Sequence, residues 1–322
     1  MNSEKVDVTV VICTRNRAQQ LASVLDSACK LIIPAGINWE FIVVDNGSTD
    51  NTATVVAKYS DRLPIRCVRE EKAGLSNARN LGVKEAMGDY ICWTDDDVVI
   101  DSNWLSAYFA AFKRHPEAAV FGGRVIPFLE KPTPAWFEKA KYEWPLSSLL
   151  AYRDFGDNAI RLTFEGDLVP WGANFAIRAK EQKKYLYNPQ LGVSPHHKRV
   201  GEETDVIYSV FKEGGSGWWV PDSKVAHIIP TKRQTLQYLY HYSYLGGETF
   251  GYLRDCFPED NYLLANGKRP KEYDYNKFQL YLQIVFHAIK LLAALIVKPK
   301  AKLSLIGRIA FYAGVISYKK SK

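Results

Sequence analysis

Three adjacent carboxylates, Asp95, Asp96 and Asp97, directly follow the apolar run YICWT. Carboxylates this close repel one another, and a bound cation would relieve that cost. Mg²⁺ or Mn²⁺ takes oxygen ligands and is commonly held by one or two carboxylates together with substrate phosphates. Alone, three aspartates also suit a solvated turn or a helix N-terminus. A second acidic group, Glu202, Glu203 and Asp205, sits in GEETD. Such a group can supply a general base for a hydroxyl proton, or simply place acids at the favourable end of a helix. His227 closes VPDSKVAH, and a neutral imidazole there suits Mn²⁺ better than Mg²⁺. Further polar residues follow apolar runs: Thr14, Arg15 and Asn16 in CTRN, and Asp45 in VVDNGSTDNT. Asp45 can accept a hydrogen bond from a pyrimidine imide, although an Asp before Asn-Gly-Ser is also a common turn former.

These groups need a frame, and the first hundred residues alternate between strand and helix signals. Residues 8–13, 39–44, 65–69 and 90–93 are short apolar runs that read as buried strands. Between them Leu21, Val24, Leu25 and Ala28 recur at helical spacing, and Leu105, Tyr108, Phe109 and Phe112 do so after the aspartates. Ser48, Thr49 or Asp50 can cap one intervening helix and Ser76 another. Strand alternating with helix predicts an α/β chain built on a mostly parallel, doubly wound Rossmann-like sheet with flanking helices. Ligands of such sheets bind at the carboxyl ends of strands, where the polar clusters fall. From about residue 116 to 200 the pattern loosens. It returns in GEETDVIYSVFKEGG, where Ile207, Val210 and Phe211 mark a helix with Gly214 just past its end.

Composition narrows the function. No G-x-x-x-x-G-K-[ST] and no G-x-G-x-x-G after the first strand is present, which leaves phosphate neutralisation mostly to a metal. The five cysteines are scattered without a CxxC pair, which argues against a zinc site or disulfide framework and for a reducing compartment. The chain opens into an apolar strand without a signal-peptide pattern, so the body is expected to be cytoplasmic. Of the +7 net charge, all seven excess positive charges lie in residues 298–322, which contain no acid. A uniformly basic nucleic-acid binder would not be built so, and no nucleic-acid partner is expected. A basic tail suits an anionic membrane surface or a disordered end.

In order and spacing, CTRN, VVDNGSTDNT, GLSNARNLG, the triple aspartate, WGANFAIR, GEETD and VPDSKVAH resemble the family 2 glycosyltransferases, inverting enzymes of the GT-A fold. The resemblance spans residues 6–230. It implies transfer of a sugar from a nucleotide diphosphate sugar, with UDP favoured and dTDP and GDP open, to an acceptor hydroxyl. Thr14, Arg15 and Asn16 would line the nucleoside pocket, Asp45 would read the base, and Arg79 would meet ribose or pyrophosphate. Gly172 and Asn174 look like the loop beside the donor. Asp97 corresponds to the last carboxylate of the D-x-D motif and is the implied metal ligand, with His227 completing the coordination of Mn²⁺ or Mg²⁺. Asp95 would stand nearer the ribose or a metal-bound water, with Asp96 beside it. Glu203 aligns with the catalytic acid, but the family has Asp there, so Glu202 and Asp205 remain candidate bases.

Residues 1–230 are thus expected to form the GT-A domain, and 231–322 a helical region associating with a membrane or partner. Its apolar stretches, 281–297 and 303–318, are shorter than the roughly 20 residues that cross a bilayer. In the first, Gln283, His287, Lys290 and Ala294 share one helical face, with Leu282, Val285, Phe286, Ile289, Leu292 and Ile296 opposite. An amphipathic helix lying on the cytoplasmic face of a membrane is the expectation, and an ordinary core helix is the alternative. The acceptor would be a lipid-linked or nascent surface glycan. A non-catalytic nucleotide-sugar-binding scaffold of the same fold is the rival reading. The intact acidic motifs speak against it.

Overall fold

The computed structural model describes residues 5–164, 168–256, 275–297 and 299–320. VTVVICT forms strand β1 (Val8–Thr14), buried at every residue except half-buried Cys13. A strand apolar on both faces is stable only inside a sheet covered on both sides. The pattern repeats in β2 (Trp39–Asp45) and β4 (Tyr90–Thr94), whereas β3 (Ile65–Arg69) is more exposed at the rim. All four run parallel, with β1 between β2 and β4. Their crossovers are α1 (Ala18–Ala28), α2 (Thr52–Ala57) and α3 (Leu75–Glu85). Leu21, Leu25, Val24 and Ala28 of α1 are buried as their spacing predicts, and each fully buried leucine contributes about 2 kcal/mol.

The helix starts differ from the expectation. Neither α2 nor α3 has a side-chain N-cap, since their N-cap residues are Asn51 and Gly74. The Ser76 hydroxyl instead donates to the Leu191 carbonyl, 115 residues away in sequence, at 2.7 Å. Asp50 does serve the first turn of α2, accepting from the Thr52 amide and hydroxyl.

Beyond β4 the sheet becomes mixed. It continues through β5 (Val98–Ile100), α4 (Trp104–Arg114) and β6 (Val120–Leu129), then the short helices α5 (Ala135–Ala140) and α6 (Leu146–Leu149). There follow β7 (Asn174–Arg178), α7 (Ala179–Lys184), α8 (Glu202–Lys212) and β8 (Gly217–Ile229). The eight strands stand in the order β3-β2-β1-β4-β7-β6-β8-β5. β7 is antiparallel to both β4 and β6, and β5 is antiparallel to β8. β6 and β8 pair in parallel, so the expected mostly parallel sheet is interrupted only where β7 and β5 run the other way. β7 arrives from a long irregular segment rather than a crossover helix, so nothing obliges it to run parallel. One apolar core joins α1 and α4 to one sheet face, and a second joins α3 and α8 to the other.

β8 ends at Ile229, and three helices follow: α9 (Leu236–Cys256), α10 (Lys277–Val297) and α11 (Pro299–Lys320). α9 docks through Leu239 on Leu129, Ile229 and the α5–α6 residues. α11 crosses α9 so closely that a Cβ on Gly247 would strike the Phe311 carbonyl, and one on Gly314 the Tyr244 carbonyl. The stretch 303–318 is thus a packed helix, with Tyr312, Val315 and Ile316 buried. In α10, Leu280 and His287 face inward, while Leu282, Val285, Phe286, Ile289 and Leu292 are 49–65% exposed. The apolar face of the amphipathic pattern points away from the protein; the side chains of Ala294 and Ile296 lie outside the described residues. Among the described residues no helix is long and apolar enough to cross a membrane. Cys13, Cys29, Cys67 and Cys92 are free thiols.

Candidate active site

The carboxyl ends of β1, β2 and β4 meet at one corner. Thr14, the last residue of β1, donates its hydroxyl to Asp96 Oδ2 at 2.7 Å. Arg17 Nη1 takes the other Asp96 oxygen at 2.6 Å and also reaches Asp97 Oδ2 at 3.2 Å. Both oxygens of this buried carboxylate are therefore committed, which makes Asp96 the strut between β1 and the acidic turn. Asn16, with a left-handed φ of 54°, accepts from the Thr49 amide at 2.7 Å and ties the first loop to the second. Arg15 is exposed beside it. Asp45 is buried at the end of β2, where Oδ1 accepts the Ser48 amide at 2.8 Å and Oδ2 pairs with Arg69 at 3.0 Å. The turn-forming and the base-reading expectations thus fall on the same carboxylate.

Asp97 faces His227 across the β5–β8 pairing, in which Val98 lies opposite His227. Asp97 Oδ1 is 3.5 Å from His227 Nε2. His227 Nδ1 lies 2.9 Å from the Leu150 carbonyl oxygen, which can only accept, so Nδ1 carries a proton and Nε2 is the nitrogen that faces Asp97, whose charge favours the protonated ring against burial. A backbone acceptor behind a histidine is the usual support of a metal ligand. Burial opposes the charge on Asp97, but His227 and then Arg233 and Arg17 outweigh it and hold the carboxyl below its ordinary range. Arg233 Nη2 stands 3.4 Å from Asp97 Oδ2. No group of three His, Cys, Asp or Glu side chains among the described residues is arranged to hold a metal. The donor set fits a divalent ion held by Asp97 and His227 with its other positions left to phosphate and water, the habit of Mn²⁺ and Mg²⁺ sites.

On the other side stands Arg79, from α3, whose side chain is only 4% exposed. Its guanidinium lies against the rings of Trp93, Phe175 and Tyr187. It is 3.6 Å from Asp95 and 3.7 Å from Glu202. Arg79, expected to meet ribose or pyrophosphate, is a buried cation joining the acidic turn to the GEETD helix, and one of its nitrogens, Nη1, has no hydrogen-bond partner. Burial pushes the Glu202 carboxyl up to about 8, aided by Glu203 and opposed by Arg79. Asp95, the most open of the three aspartates, is pushed up to about 6 by loss of water against the pull of Arg79, with Asp97 adding to the rise. Glu203 is less buried than Glu202, and its Oε1 accepts the Gly172 amide at 3.1 Å. A Cβ on Gly172 would sit 3.0 Å from Arg79 Nη2 and 3.5 Å from the Glu203 carboxyl, so a larger residue here would press on the Arg79 guanidinium. Asp205 lies a turn further along α8.

Asn174 is placed otherwise than expected of a donor-contacting residue. Its Oδ1 accepts from Trp104 Nε1 and Tyr108 hydroxyl, both at 2.7 Å, and its Nδ2 donates to the Arg124 and Ser223 carbonyls at 3.0 Å. All four valences of the amide are used inside the protein, so Asn174 anchors β7 and the loop before it. Arg17 and Arg233 were missed in the sequence. Arg17 stands one residue past the CTRN motif, and Arg233 lies beyond the expected domain boundary, on a turn whose direction only the fold sets.

An eight-stranded mixed sheet with an acidic turn at the end of β4 is the architecture of GT-A glycosyltransferases. A mannosyltransferase from Pyrobaculum calidifontis, solved with GDP-Man and Mn²⁺, superposes with a TM-score of 0.62 at 16% identity, covering 99% of this chain and 89% of that one. Residues 1–349 of S. aureus TarS, solved with UDP-GlcNAc, give 0.53 at 15% identity over 98% and 93%. The profile of Glycosyl transferase family 2 matches residues 9–185, more than half of the chain, and the protein belongs to that family. It is similar to the succinoglycan biosynthesis protein ExoM of Rhizobium meliloti, 24% identical over 79% of this chain and 77% of that protein. The chondroitin synthase of Pasteurella multocida is 29% identical over 38% of this chain, which is 13% of the synthase. The protein is a glycosyltransferase.

Proposed function

We propose that this glycosyltransferase moves a sugar, with inversion and with the help of Mn²⁺ or Mg²⁺, from a UDP-linked donor to a hydroxyl of a lipid-linked or nascent surface polysaccharide. One observation carries the metal and donor reading: Asp97 and His227 face each other at 3.5 Å, with the imidazole tautomer set by Leu150. The Mn²⁺ in the mannosyltransferase structure and the succinoglycan role of ExoM support the same reading. Asp97 and His227 would hold the ion, which supplies positive charge to the leaving diphosphate. Asp45 and the loop carrying Thr14, Arg15 and Asn16 would receive the nucleoside. Asp95, beside the metal corner, would accept from the donor ribose.

Glu203 would act as the base. Its Oε1 is fixed by the Gly172 amide, so the second oxygen can take the acceptor proton as the acceptor oxygen attacks the anomeric carbon. The bond to the diphosphate breaks on the opposite face, and the new bond has inverted configuration. Glu202, buried and raised to about 8, is protonated at neutral pH and is the weaker candidate for that step. The outward apolar face of α10 and the acid-free, basic segment after it would hold the protein on the cytoplasmic face of a membrane.

The decisive experiment is Asp97→Asn. It should abolish Mn²⁺-dependent UDP binding and sugar transfer while leaving the thermal transition in place. Transfer that persists in the variant, or in the wild type with EDTA, would overturn the metal reading.

A further inference from the structure

Between α5, the start of α9 and the α10–α11 pair lies a cavity of about 820 Å³, walled by Trp136, Leu236, Ala288, Leu292, Leu303 and their apolar neighbours. That volume is in the range of small-molecule sites, yet this one is nearly without polar lining. Among the described residues its charged walls are Lys139, Lys302 and Glu143, so cations outnumber the acid at the edge. The segment that supplies the Lys302 side, residues 275–322, contains nine basic side chains and no acid. Leu292 belongs both to the cavity and to the outward apolar face of α10, which makes the two surfaces continuous.

The cavity also borders the catalytic corner through the backbone. Leu236 stands three residues after Arg233, whose guanidinium pairs with Asp97. Trp136, Ala140 and Leu303 pack in one cluster with Leu150, whose carbonyl fixes His227. A chain seated here therefore lies against elements that pack beside those carrying Asp97 and His227. We infer that this cavity binds the hydrocarbon chain of the lipid-phosphate-linked acceptor, with its phosphate at Lys139 and Lys302. The inference rests on the glycosyltransferase reading above and names the part of the acceptor that the protein grips. A hydrophobic chain drawn from the bilayer along the α10 face into an apolar slot gains burial, and the flanking lysines supply the charge that selects a phosphate over a neutral lipid.

The test uses the full chain and farnesyl phosphate as the probe, titrated calorimetrically, with inorganic phosphate as competitor. Two variants act on the cavity: Ala288→Trp fills it, and Leu292→Gln, at a position 65% exposed, alters its mouth with little demand on the fold. The wild type should bind one farnesyl phosphate, unaffected by millimolar phosphate. At least one variant should weaken it by about tenfold or more. UDP binding with Mn²⁺ should be unchanged in both, and sedimentation with anionic vesicles should be unchanged in Ala288→Trp. Wild-type affinity in both variants, or full competition by phosphate alone, would overturn the inference. So would loss of vesicle binding by Ala288→Trp in step with its loss of farnesyl phosphate, because the occupant would then be the bilayer itself. Failure of the wild type to bind UDP would strike the donor reading and leave the lipid titration as an independent readout.

Discussion

Glu202→Gln gives the sharpest test of the buried acidic corner. Glu202 is 5% exposed, and its carboxyl is pushed up to about 8 by burial and by Glu203. An acid raised in the folded state binds more protons folded than unfolded. Its stabilising contribution is fully present below the unfolded value near 4.5 and is lost as pH rises through the folded value. The wild type must therefore lose stability between about pH 4.5 and 8, and Gln, which cannot ionise, removes that loss. A shift of this size corresponds to about 5 kcal/mol if Glu202 titrated alone. Glu203 and Asp95 share the charge, so part of that is spread over the group, and a gain of about 2 kcal/mol is the least the geometry supports. The assay is urea unfolding of wild type and variant at pH 5, 7 and 9 in EDTA. The variant should be nearly equal at pH 5 and progressively more stable above it. A gap that stays flat with pH, or a wild type that gains on the variant as pH rises, would refute the burial of a protonated Glu202 beside Arg79.

Other outcomes follow from single contacts. Glu203→Gln should leave UDP affinity unchanged and lower kcat by about 10² or more, measured by UDP release with acceptor present. Asn174→Ala strands four buried groups at about 1 kcal/mol each, so a loss of roughly 4 kcal/mol and a fall in Tm of about 6 °C are expected. Val285→Glu with Ile289→Glu, both exposed on α10, should keep Tm and UDP binding but reduce sedimentation with anionic vesicles, and the remaining attachment should fall with salt.

The sequence by itself determined the parallel half of the sheet and the place of its chemistry. Continuous apolar runs such as VTVVICT and YICWT can only be central strands, and a parallel strand presents its carboxyl end to ligands. The motif order then identified the family, because local turn and acid patterns are written in adjacent residues. What adjacency cannot express was decided by tertiary structure. β7 runs antiparallel to both of its neighbours, a direction that nothing in NFAIR itself specifies. Arg79 looked like a surface group on a helix, and only the closure of Trp93, Phe175 and Tyr187 around it made it a buried bridge between Asp95 and Glu202. Asn174 looked like a ligand contact until Trp104 and Tyr108, some seventy residues earlier, used up its carbonyl. The α10 pattern was legible as amphipathic, but periodicity gives two faces without saying which one is covered. Packing against α11 buried the His287 side and left the apolar side outward. Arg233 reaches Asp97 from beyond the motif region for the same reason: distance along the chain carries no information about distance across the sheet.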